Sequence, residues 1–453
     1  MELTRNSFRG MRITVMGLGL LGRGVGDVRY LARSGAELIV TDLKSYEELG
    51  ESVKQLVEFS NIQFVLGEHR LEDFRDRDLI LKAAGVPLDS PYIAEAKKHS
   101  VSVRMSADLF MEISGVPTIG ITGTRGKSTV THMVHSIFES AGKPSVLGGN
   151  VRGVSTLALL DEVTPAHTAI LELDSWQCQG FGEAHMSPHI AVCTTFFPDH
   201  LGYYKNNLDR YLADKAFIFL NQTEKDILIL GQQVADIVLN KYESDIISKV
   251  IIVGEKDIPD DWQLSILGRH NRYNAALARA IARASAVGDD TIRHTLENFK
   301  GVPGRLELIG EKNSVQYYND TTATTPEATL AALAALSNEG FRKPLINEGF
   351  TKPLILIMGG ADKGLSMEAL SKEIKTRVKH LVLLSGTGTD TICSQFPTAT
   401  VHANLPTALD DAISHASPND IILFSPAFAS FGMFKNEFDR GDQFNALVQS
   451  HSV

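Results

Sequence analysis

Short apolar runs alternate with amphipathic stretches along most of this chain, and glycines or polar residues follow nearly every run. The first run, residues 12–16, precedes a helical pattern that continues to about Ser34, and Glu37–Thr41 forms the next run. Such bounded runs predict buried strands, and the amphipathic stretches between them predict helices. Further strands are predicted at Thr168–Leu173, Ile190–Thr194, Leu228–Leu230, Val250–Val253, Val315–Tyr318, Leu354–Met358, His380–Leu384 and Ile421–Phe424. Because strands and helices alternate, we expect an α/β fold with largely parallel sheets.

The chain is predicted to form three domains, because its 453 residues exceed what one ordinary hydrophobic core organises. We expect a Rossmann-like domain at residues 1–105, a central domain with a mostly parallel sheet at 106–302, and a Rossmann-like α/β domain at 303–453. The segment Gly-Val-Pro-Gly-Arg at 301–305 is typical of a hinge or linker.

Composition narrows the class of protein. Hydrophobic residues make up 43% and charged residues 22% of the chain, which is typical of a water-soluble globular protein. A net charge of −10 argues against a nucleic-acid partner, and three scattered cysteines fit a reducing compartment. No apolar run reaches the ~20 residues that span a bilayer, and the polar first ten residues lack the apolar centre of a signal peptide. We therefore expect a cytoplasmic protein without membrane insertion, and we expect a monomer.

One internal repeat interrupts the third predicted domain. Residues 338–346 (Asn-Glu-Gly-Phe-Arg-Lys-Pro-Leu-Ile) are followed at once by 347–355, and the two segments agree at eight of nine positions. Solenoid folds need at least three repeats, so we interpret the pair as a local duplication before one strand. Only one copy can enter the sheet there, and the other is expected to form an exposed loop.

The strongest chemical signal is Gly-Ile-Thr-Gly-Thr-Arg-Gly-Lys-Ser-Thr at residues 120–129, where an apolar run ends and a helical pattern begins. Glycines let backbone N–H groups approach an anion, and the next helix adds its positive N-terminus. Lys127 can reach terminal phosphates, and Ser128 offers an oxygen to Mg²⁺. Ile121 occupies the place of the first glycine in the common phosphate loop, and this shifted spacing favours a particular subclass of ATP user. A glycine-rich turn with a solvated lysine is the alternative.

Four further side chains of the same predicted domain are candidates for a functional role because of their positions relative to predicted strands and helices. Glu172 ends a strand and is placed to bind Mg²⁺, although a strand-end acid can also face solvent. His200 follows a strand, at the edge where open α/β sheets bind ligands, although a lone histidine is often structural. Lys215, taken alone, resembles an ordinary surface lysine. Asn271 can be explained as a helix cap, but Asn274 lies three residues further on, and a cap at Asn271 does not explain an asparagine there.

The third predicted domain carries weaker signals of the same kind. Arg305 follows a Pro-Gly pair and is placed to contact phosphates when domains close. Lys363 lies in a glycine-flanked segment after a strand, which suits a carboxylate or a phosphate. Residues 425–432 also follow a strand and supply hydroxyl and backbone N–H groups. Each signal alone is weak, but together they place polar groups at the carboxyl edge of a sheet.

The first predicted domain has a dinucleotide-type turn. Gly17, Gly19 and Gly22 follow a strand, and Asp42 ends the next strand. This pattern is typical of an NAD-dependent oxidoreductase, but the same geometry holds any diphosphate. The oxidoreductase alternative also leaves Lys127 unexplained.

The order of these motifs along nearly the whole chain resembles the Mur ligase family. The resemblance is carried by Gly123–Ser128, Glu172, Asp199-His200, Lys215, His270-Asn271 and the Asp-Lys signals of the third domain. The tail at residues 423–441 and the short first domain most resemble the branch that adds D-glutamate. The resemblance implies an ATP-dependent ligase of peptidoglycan precursor synthesis, with ATP and two Mg²⁺ ions. Its substrates would be UDP-N-acetylmuramoyl-L-alanine and D-glutamate, joined through an acyl phosphate.

The resemblance also implies roles for individual positions. For ATP it indicates Gly123, Thr124, Arg125, Gly126, Lys127, Ser128, Thr129, Asn274, Arg305 and Asp320. For the UDP-sugar it indicates Gly19, Leu20, Leu21, Gly22, Asp42, Gly85 and Asn150. For D-glutamate it indicates Thr324, Lys363, Ser430 and Phe431. For catalysis it indicates Lys127, Glu172, His200 and Lys215. For metal it indicates Ser128, Glu172, His200 and, as a carbamate, Lys215.

Several positions depart from the family pattern. Arg125 stands where the family commonly has Asn, and Thr322 stands where a lysine often follows the Asp320 position. Leu21 and Lys44 replace frequent polar contacts to uridine. Two alternatives within the same chemistry stay open: a sibling ligase that adds a different amino acid, and a folyl-polyglutamate synthase. The glycine turn of the first domain favours the sibling over the folate enzyme.

Overall fold

The computed structural model describes residues 3–20, 22–336 and 354–450. These residues form three α/β sheets. They fall into two compact units, Met1–Trp262 with Tyr273–Glu297, and Gln263–Arg272 with Asn298–Val453. The first unit contains two of the sheets and the second unit contains the third.

The first sheet follows the alternation predicted for the N-terminal part of the chain. Its elements are β1 (Arg12–Met16), α1 (Arg23–Arg33), β2 (Glu37–Asp42), α2 (Tyr46–Lys54), β3 (Ile62–Leu66), β4 (Leu79–Lys82), α3 (Pro91–Lys98) and β5 (Ser102–Arg104). The strands run parallel in the order β3-β2-β1-β4-β5. The strand order reverses beside β1, and ligands of open α/β sheets bind at such a reversal, beyond the carboxyl ends of the strands.

The second sheet holds six parallel strands. Its elements are α4 (Ser106–Ser114), β6 (Thr118–Thr122), α5 (Lys127–Ser140), β7 (Ser145–Gly149), β8 (Thr168–Glu172), α6 (Ser175–Glu183), β9 (Ile190–Cys193), α7 (Leu208–Ala216), β10 (Ile227–Gly231), α8 (Gln232–Tyr242), β11 (Lys249–Val253), α9 (Arg269–Ala284) and α10 (Asp289–Asn298). The strand order is β11-β10-β9-β6-β8-β7. Because β6 lies between β9 and β8, the segments that follow these three strands meet at one edge.

The third sheet is mixed. Its elements are β12 (Glu307–Lys312), β13 (Val315–Asn319), α11 (Pro326–Ala335), β14 (Leu354–Gly359), α12 (Glu368–Arg377), β15 (Val378–Leu384), α13 (Thr387–Ile392), β16 (Thr400–His402), α14 (Leu405–Ser414), β17 (Ile421–Phe424) and α15 (Glu437–Ser450). The order is β12-β13-β17-β14-β15-β16, and only the β12–β13 pair is antiparallel among the paired strands.

The strands are continuous apolar runs in the sequence because both of their faces are buried. In β14, Leu356 and Met358 pack in one apolar cluster, while Ile355 and Ile357 pack in another on the opposite face. Both faces of this strand are therefore covered, as expected for parallel sheets with helices on each side. In the first unit, one apolar cluster includes residues from both sheets, for example Val15 and Leu171.

The strands that were predicted individually and the α/β class are confirmed, but six strands were not predicted: β3, β4, β5, β7, β12 and β16. β7 ends in two glycines, β12 is a half-exposed edge strand, and β16 has only three residues. Most of the duplicated segment, residues 338–353, lies outside the described residues, and the second copy enters β14 at Leu354. In the described ranges, no helix is both long enough and apolar enough to cross a membrane.

Candidate nucleotide and metal site

The phosphate-loop segment turns sharply between β6 and α5. Gly123 has φ of 142° and Gly126 has φ of 89°, values that favour glycine. A Cβ atom on Gly123 would lie 2.0 Å from Oγ1 of Thr194, and one on Gly126 would lie 2.5 Å from Oδ1 of Asn274. Both positions therefore exclude any side chain, and the backbone itself lines the start of α5.

Residues that follow β9 brace this loop. Thr194 Oγ1 donates to the carbonyl of Arg125 at 2.6 Å, and Thr195 Oγ1 donates to the same carbonyl at 3.1 Å. The backbone N–H of Thr124 donates to the Thr195 carbonyl at 2.8 Å, and Arg125 N–H donates to Thr195 Oγ1 at 2.9 Å. The loop is thus fixed before any ligand arrives, which is the preorganisation that anion binding and catalysis require.

Two lysines converge on the loop's carbonyl groups. Lys127 Nζ donates to the carbonyls of Gly123 at 3.0 Å and Thr124 at 3.3 Å. Lys215 Nζ, which α7 places in the core with only 4% of the residue exposed, donates to Gly123 at 3.0 Å and to Thr122 Oγ1 at 3.3 Å. Two cations thus share one carbonyl group, an arrangement that concentrates positive charge beside the glycine turn.

Burial and mutual repulsion disfavour the charged forms of these lysines. Burial lowers the pKa of Lys215. Burial also lowers the pKa of Lys127, with Lys215 as the next cause and the Glu172 carboxylate opposing it. An anion bound at the loop would relieve the repulsion, and a neutral Lys215 amine is the form that can react with CO₂. The expectation of an ordinary surface lysine at 215 is therefore wrong, as the resemblance had implied.

Glu172 lies at the carboxyl end of β8, with 4% of the residue exposed. The Asn150 side chain donates to Glu172 Oε1 at 3.5 Å, and the Asn150 backbone N–H donates to the Glu172 carbonyl at 2.7 Å. Asn150 Oδ1 also accepts a hydrogen bond from Arg23, the first residue of α1. Asn150 thus connects the acid of the second sheet with the helix that follows the glycine turn of the first sheet.

His200 adopts a left-handed backbone conformation, with φ of 53°, which costs a non-glycine residue about 1 kcal/mol or more. Its ring lies against Trp176, with centroids 4.7 Å apart. Desolvation lowers the pKa of His200 against the opposing effect of Asp199, and the charges of Lys127 and Lys215 lower it further. The imidazole is therefore neutral near pH 7, which is the form that binds metal ions.

Arg125 pairs with the residue beside His200. Its guanidinium lies 2.9 Å from Asp199 Oδ2. Burial raises the pKa of Asp199, but His200, which is protonated at the acidic pH where Asp199 titrates, and Arg125 outweigh burial and bring the pKa to about 2. Arg125, which departs from the expected family pattern, therefore has a defined ionic partner in this structure.

Three further residues predicted to bind ATP lie near the loop. Ser128 is buried and Thr129 is half-buried in the first turn of α5. Asn274 is buried in α9 and faces Gly126, as the close approach of its side chain indicates. The neighbouring Tyr273 donates its hydroxyl to the Thr194 carbonyl at 2.8 Å, which holds this part of α9 against the loop.

The chemistry of the predicted metal ligands fits a hard divalent cation. Ser128 offers a hydroxyl oxygen and Glu172 a carboxylate, both donors that Mg²⁺ prefers. His200 offers a neutral ring nitrogen, and Lys215 becomes an oxygen donor only if it is carbamylated. These four residues belong to the same compact unit.

The glycine turn of the first sheet is built differently. The carboxylate of Asp42 accepts hydrogen bonds from the N–H groups of Leu18 at 2.9 Å and Gly19 at 3.1 Å through Oδ2, and from Lys44 at 3.0 Å through Oδ1. Oδ2 therefore holds the glycine turn, and Oδ1 caps the segment that follows Asp42, which weakens the dinucleotide interpretation of this acid. Leu20, Gly22 and Gly85 are exposed, while Leu21 lies outside the described residues.

In the second unit, Asp320 is buried at the end of β13. Its carboxylate accepts hydrogen bonds from Ser425 Oγ at 2.8 Å and the Leu306 N–H at 3.0 Å. Burial raises the pKa of Asp320 to about 7, against the lowering effect of these hydrogen bonds and of Arg305. Arg305 itself is exposed.

The four residues predicted to bind D-glutamate also lie in the second unit. Lys363 Nζ donates to Thr324 Oγ1 at 3.0 Å. Ala361 and Ala429 exchange backbone hydrogen bonds, which brings the Lys363 segment beside the segment of Ser430. Ser430 is buried, whereas 70% of Phe431 is exposed. The structure thus brings both segments to one edge of the third sheet.

Sequence reasoning missed the supports of these sites. Thr194 and Thr195 carry no recognisable motif, although their position at the end of a predicted strand was a usable signal. Arg440 is fully buried and donates to the carbonyls of Thr321 at 2.7 Å and Phe428 at 3.3 Å, and burial lowers the pKa of Arg440 to about 10. This arginine ties the tail to the segment after β13.

A parallel sheet whose central strand runs into a glycine cradle, a lysine and a helix defines the class of phosphate-loop nucleotide-binding proteins. The chain matches family models described as "Mur ligase middle domain" over residues 121–265, "Mur ligase, glutamate ligase domain" over 304–428, and "Mur ligase MurD-like, N-terminal domain" over 11–105. The chain belongs to the Mur ligase family.

Similar proteins cover the chain almost completely. A protein of Roseiflexus sp. (strain RS-1), named UDP-N-acetylmuramoylalanine--D-glutamate ligase, is 35% identical over 97% of this chain and 99% of its own length. A protein of the same name from Borreliella burgdorferi (strain B31) is 35% identical over 98% of this chain and 99% of its own length. A protein of the same name from Streptococcus thermophilus is 32% identical over 96% of this chain and 97% of its own length.

Solved structures share the fold at low sequence identity. UDP-N-acetylmuramate-alanine ligase from Thermotoga maritima superposes with a TM-score of 0.62 at 18% identity, covering 98% of this chain and all of that chain. The MurF ligase from Thermotoga maritima, solved in complex with ADP, gives a TM-score of 0.59 at 16% identity. The match covers 99% of this chain and 98% of that chain.

Proposed function

We propose that this chain is an ATP-dependent ligase that joins D-glutamate to UDP-N-acetylmuramoyl-L-alanine through an amide bond, in cytoplasmic peptidoglycan precursor synthesis. The observation that carries the chemistry is the braced glycine loop, on whose carbonyls Lys127 and Lys215 converge. The choice of substrates rests on the full-length similarity to proteins of that name. That the enzyme is a monomer stays a prediction.

The loop would hold the β- and γ-phosphates of ATP. The glycines at 123 and 126 leave the backbone open to an anion, and the N-terminus of α5 favours negative charge by about 0.3–1 kcal/mol or more. Lys127 would exchange its two carbonyl contacts for phosphate oxygens, which are the stronger acceptors. Asn274, Arg305 and Asp320 would contact the rest of the nucleotide.

Ser128, Glu172, His200 and a carbamylated Lys215 would hold two Mg²⁺ ions. When bound, Mg²⁺ would reduce the repulsion between the γ-phosphate and the substrate carboxylate. The lowered pKa of Lys215 supports the carbamate, because only a neutral amine attacks CO₂.

Activation of the carboxylate is the chemical requirement, since an amine cannot displace oxide from a carboxylate. An oxygen of the L-alanyl carboxylate would attack the γ-phosphorus of ATP, giving an acyl phosphate and ADP. The amine of D-glutamate would then attack the carbonyl carbon, and inorganic phosphate would leave as the amide forms and one proton is released. The braced loop, by holding the γ-phosphate in one place, would supply orientation and charge stabilisation.

The remaining predicted residues would hold the other two substrates. In the first unit, Gly19, Leu20, Leu21, Gly22, Asp42, Gly85 and Asn150 would serve the UDP-sugar. In the second unit, Lys363 would pair with a carboxylate of D-glutamate, and Thr324, Ser430 and Phe431 would contact the same amino acid. The hydrogen bond between Lys363 and Thr324 supports a shared role for these two side chains.

Phosphate release from ATP tests this proposal. The assay supplies UDP-N-acetylmuramoyl-L-alanine together with a panel of D- and L-amino acids, and the product is identified by mass spectrometry. D-glutamate should give the fastest release and a product heavier by one glutamyl residue. Release that depends on another amino acid would instead identify a sibling ligase, and no release with any of them would contradict the proposal.

A further inference from the structure

The first helix, α1, packs closely against the segment that follows β7 of the second sheet. Ser155 Oγ donates to Asp27 Oδ1 of α1 at 2.6 Å. A Cβ atom on Gly26 would lie 2.4 Å from the Cβ atom of Ser155, so the approach requires glycine in α1. Both contacts lie within the first compact unit. They fix the position of α1 relative to Asn150, the residue that follows β7.

The backbone of Asn150 is fixed to Glu172, the acid predicted to bind Mg²⁺. The Asn150 N–H donates to the Glu172 carbonyl at 2.7 Å. The preceding residue, Gly149, has φ of 81°, and a Cβ atom there would lie 2.0 Å from the same carbonyl oxygen. Gly149 also lies opposite Glu172 in the pairing of β7 with β8. The Asn150 side chain can therefore change direction only by rotation about its own bonds.

A side-chain amide has two unlike ends, and Arg23 decides which end of the Asn150 amide faces Glu172. A guanidinium group carries N–H donors and no acceptor, so it can face only the oxygen of an amide. Arg23 Nη1 donates to Asn150 Oδ1. The Nδ2 group is thereby turned toward Glu172 and lies 3.5 Å from its Oε1. This separation is long for a hydrogen bond, so the amide orients the carboxylate without competing strongly with a cation.

The orientation of the amide affects the acid. A donor beside one oxygen of Glu172 favours the ionised carboxylate, which is the form that binds a hard cation. The reversed amide would instead place a carbonyl oxygen beside the carboxylate, and two acceptors repel each other. Arg23 is half-buried, so its contact with Asn150 is screened by salt less than a contact between fully exposed groups.

We propose that Arg23 is a positioning residue for the metal-binding carboxylate of Glu172 and acts through the amide of Asn150. A helix of the first sheet, which begins at the turn predicted to hold the UDP-sugar, thus completes the proposed Mg²⁺ site of the second sheet. This inference rests on the proposed function, because that function assigns Glu172 to the metal.

Binding of Mn²⁺ to the full chain tests this role. Mn²⁺ suits the oxygen ligands that Mg²⁺ prefers, and the EPR signal of free Mn²⁺ measures its affinity without turnover. Glu172→Gln should weaken binding and thereby identifies the site. Arg23→Leu, which removes the donors, should weaken binding at this site about 10-fold, the lower end expected for a partner outside the ligand shell. The Mg²⁺ concentration that gives half-maximal turnover should rise by the same factor.

Two further substitutions separate orientation of the amide from packing. Arg23→Lys keeps a group that only donates, and it should retain most of the Mn²⁺ affinity. Arg23→Gln can present either end of an amide, so its affinity should lie between those of Arg23→Lys and Arg23→Leu. Arg29→Leu is the matched control on the same helix. Arg29 donates to the Gln55 carbonyl of the first sheet, so this variant should bind Mn²⁺ like the parent chain.

The outcomes distinguish this inference from the proposed function. Equal Mn²⁺ affinity in the parent chain and Arg23→Leu, with a loss in Glu172→Gln, would overturn the role of Arg23 and leave the metal site standing. An equal loss in Arg23→Leu and Arg23→Lys would also overturn it, because the donor would then not matter. Unchanged affinity in Glu172→Gln would contradict the metal assignment itself and this inference with it. Circular dichroism verifies that each variant is folded.

Discussion

The first unit contains two glycine turns, and each lies between a strand and a helix, but the charged side chains around them differ. Each follows a central parallel strand and ends at a glycine in the left-handed conformation, Gly22 before α1 and Gly126 before α5, with no side-chain cap on either helix. In the first turn a carboxylate, Asp42, accepts backbone N–H groups. In the second, two lysines donate to backbone carbonyls. The motif alone therefore does not determine the charge at a turn.

The difference in charge suggests a different ligand for each turn. Negative charge beside the first turn reduces its attraction for a highly charged anion and instead fixes the turn's shape. Positive charge beside the second turn strengthens its attraction for a triphosphate and costs stability while no anion is bound. We therefore propose that the first turn holds a diphosphate that is recognised mainly by shape, and that the second holds the phosphate that reacts.

Removing the lysine of the second turn should have the largest effect. We expect Lys127→Ala to lower kcat/KM about 100- to 1000-fold, because one fixed electrostatic contact to the reacting phosphate is lost. Steady-state phosphate release measures the change, and circular dichroism should show an intact fold. Lys225→Ala, which removes an exposed lysine of the same unit, is the matched control and should retain normal turnover.

Substitution of Lys215, the second lysine at this turn, should have opposite effects on stability and activity. Lys215→Met should lose turnover and yet unfold at a higher temperature than the parent chain in CO₂-free buffer near pH 7. Because folding lowers the pKa of Lys215, the unfolded chain binds more protons between that pKa and about 10.4, and stability rises with pH across this window.

The gain in thermal stability from Lys215→Met should therefore be largest at low pH and shrink as the pH approaches about 10.4. Thermal scans between neutral and alkaline pH measure it. A variant that is less stable than the parent at every pH would show that Lys215 packs favourably in its charged form.

For the first turn, Asp42→Asn tests the structural role of the acid. The amide keeps one acceptor but turns an NH₂ group toward backbone N–H groups, so we expect a loss of about 1–3 kcal/mol in the free energy of unfolding. KM for the UDP-sugar should rise while kcat changes little. Asp236→Asn, at an exposed position, is the control, and an equal loss there would remove the special role of Asp42.

The smallest effect is expected at Arg125. The Arg125–Asp199 pair is partly exposed, so Arg125→Asn should change stability by about 1 kcal/mol or less and kcat by only a few-fold at neutral pH. Removal of the guanidinium should raise the pKa of Asp199 above about 2, which NMR titration can measure. A large loss of activity would indicate that Arg125 itself contacts a phosphate.

The sequence predicted the reactive turn better than its surroundings. Gly123, Gly126 and Lys127 are local in sequence, and their order between an apolar run and a helical pattern indicated the loop, although their spacing departs from the common phosphate loop. The supports at Thr194 and Thr195 depend on β9 lying beside β6, a pairing that no local pattern encodes. Strands with clear apolar runs were predicted, whereas six strands were missed, among them the half-exposed edge strand β12 and the three-residue strands β5 and β16.

Burial was predictable in principle at one further position. Tyr211, Leu212, Lys215 and Ala216 share one helical face, and all four are buried. That spacing is typical of the face of a helix that packs against the core, and it would have predicted a buried Lys215. The charge of Lys215 made a surface position the expected one instead.

Isotope transfer tests the central chemical claim most directly, namely that a phosphate from ATP activates the carboxylate before the amide bond forms. UDP-N-acetylmuramoyl-L-alanine with an ¹⁸O-labelled carboxylate would be converted with ATP and D-glutamate, and the released phosphate examined by ³¹P NMR. An acyl phosphate requires one ¹⁸O atom in each phosphate formed from fully labelled substrate. Phosphate without ¹⁸O, formed during normal turnover, would contradict the account.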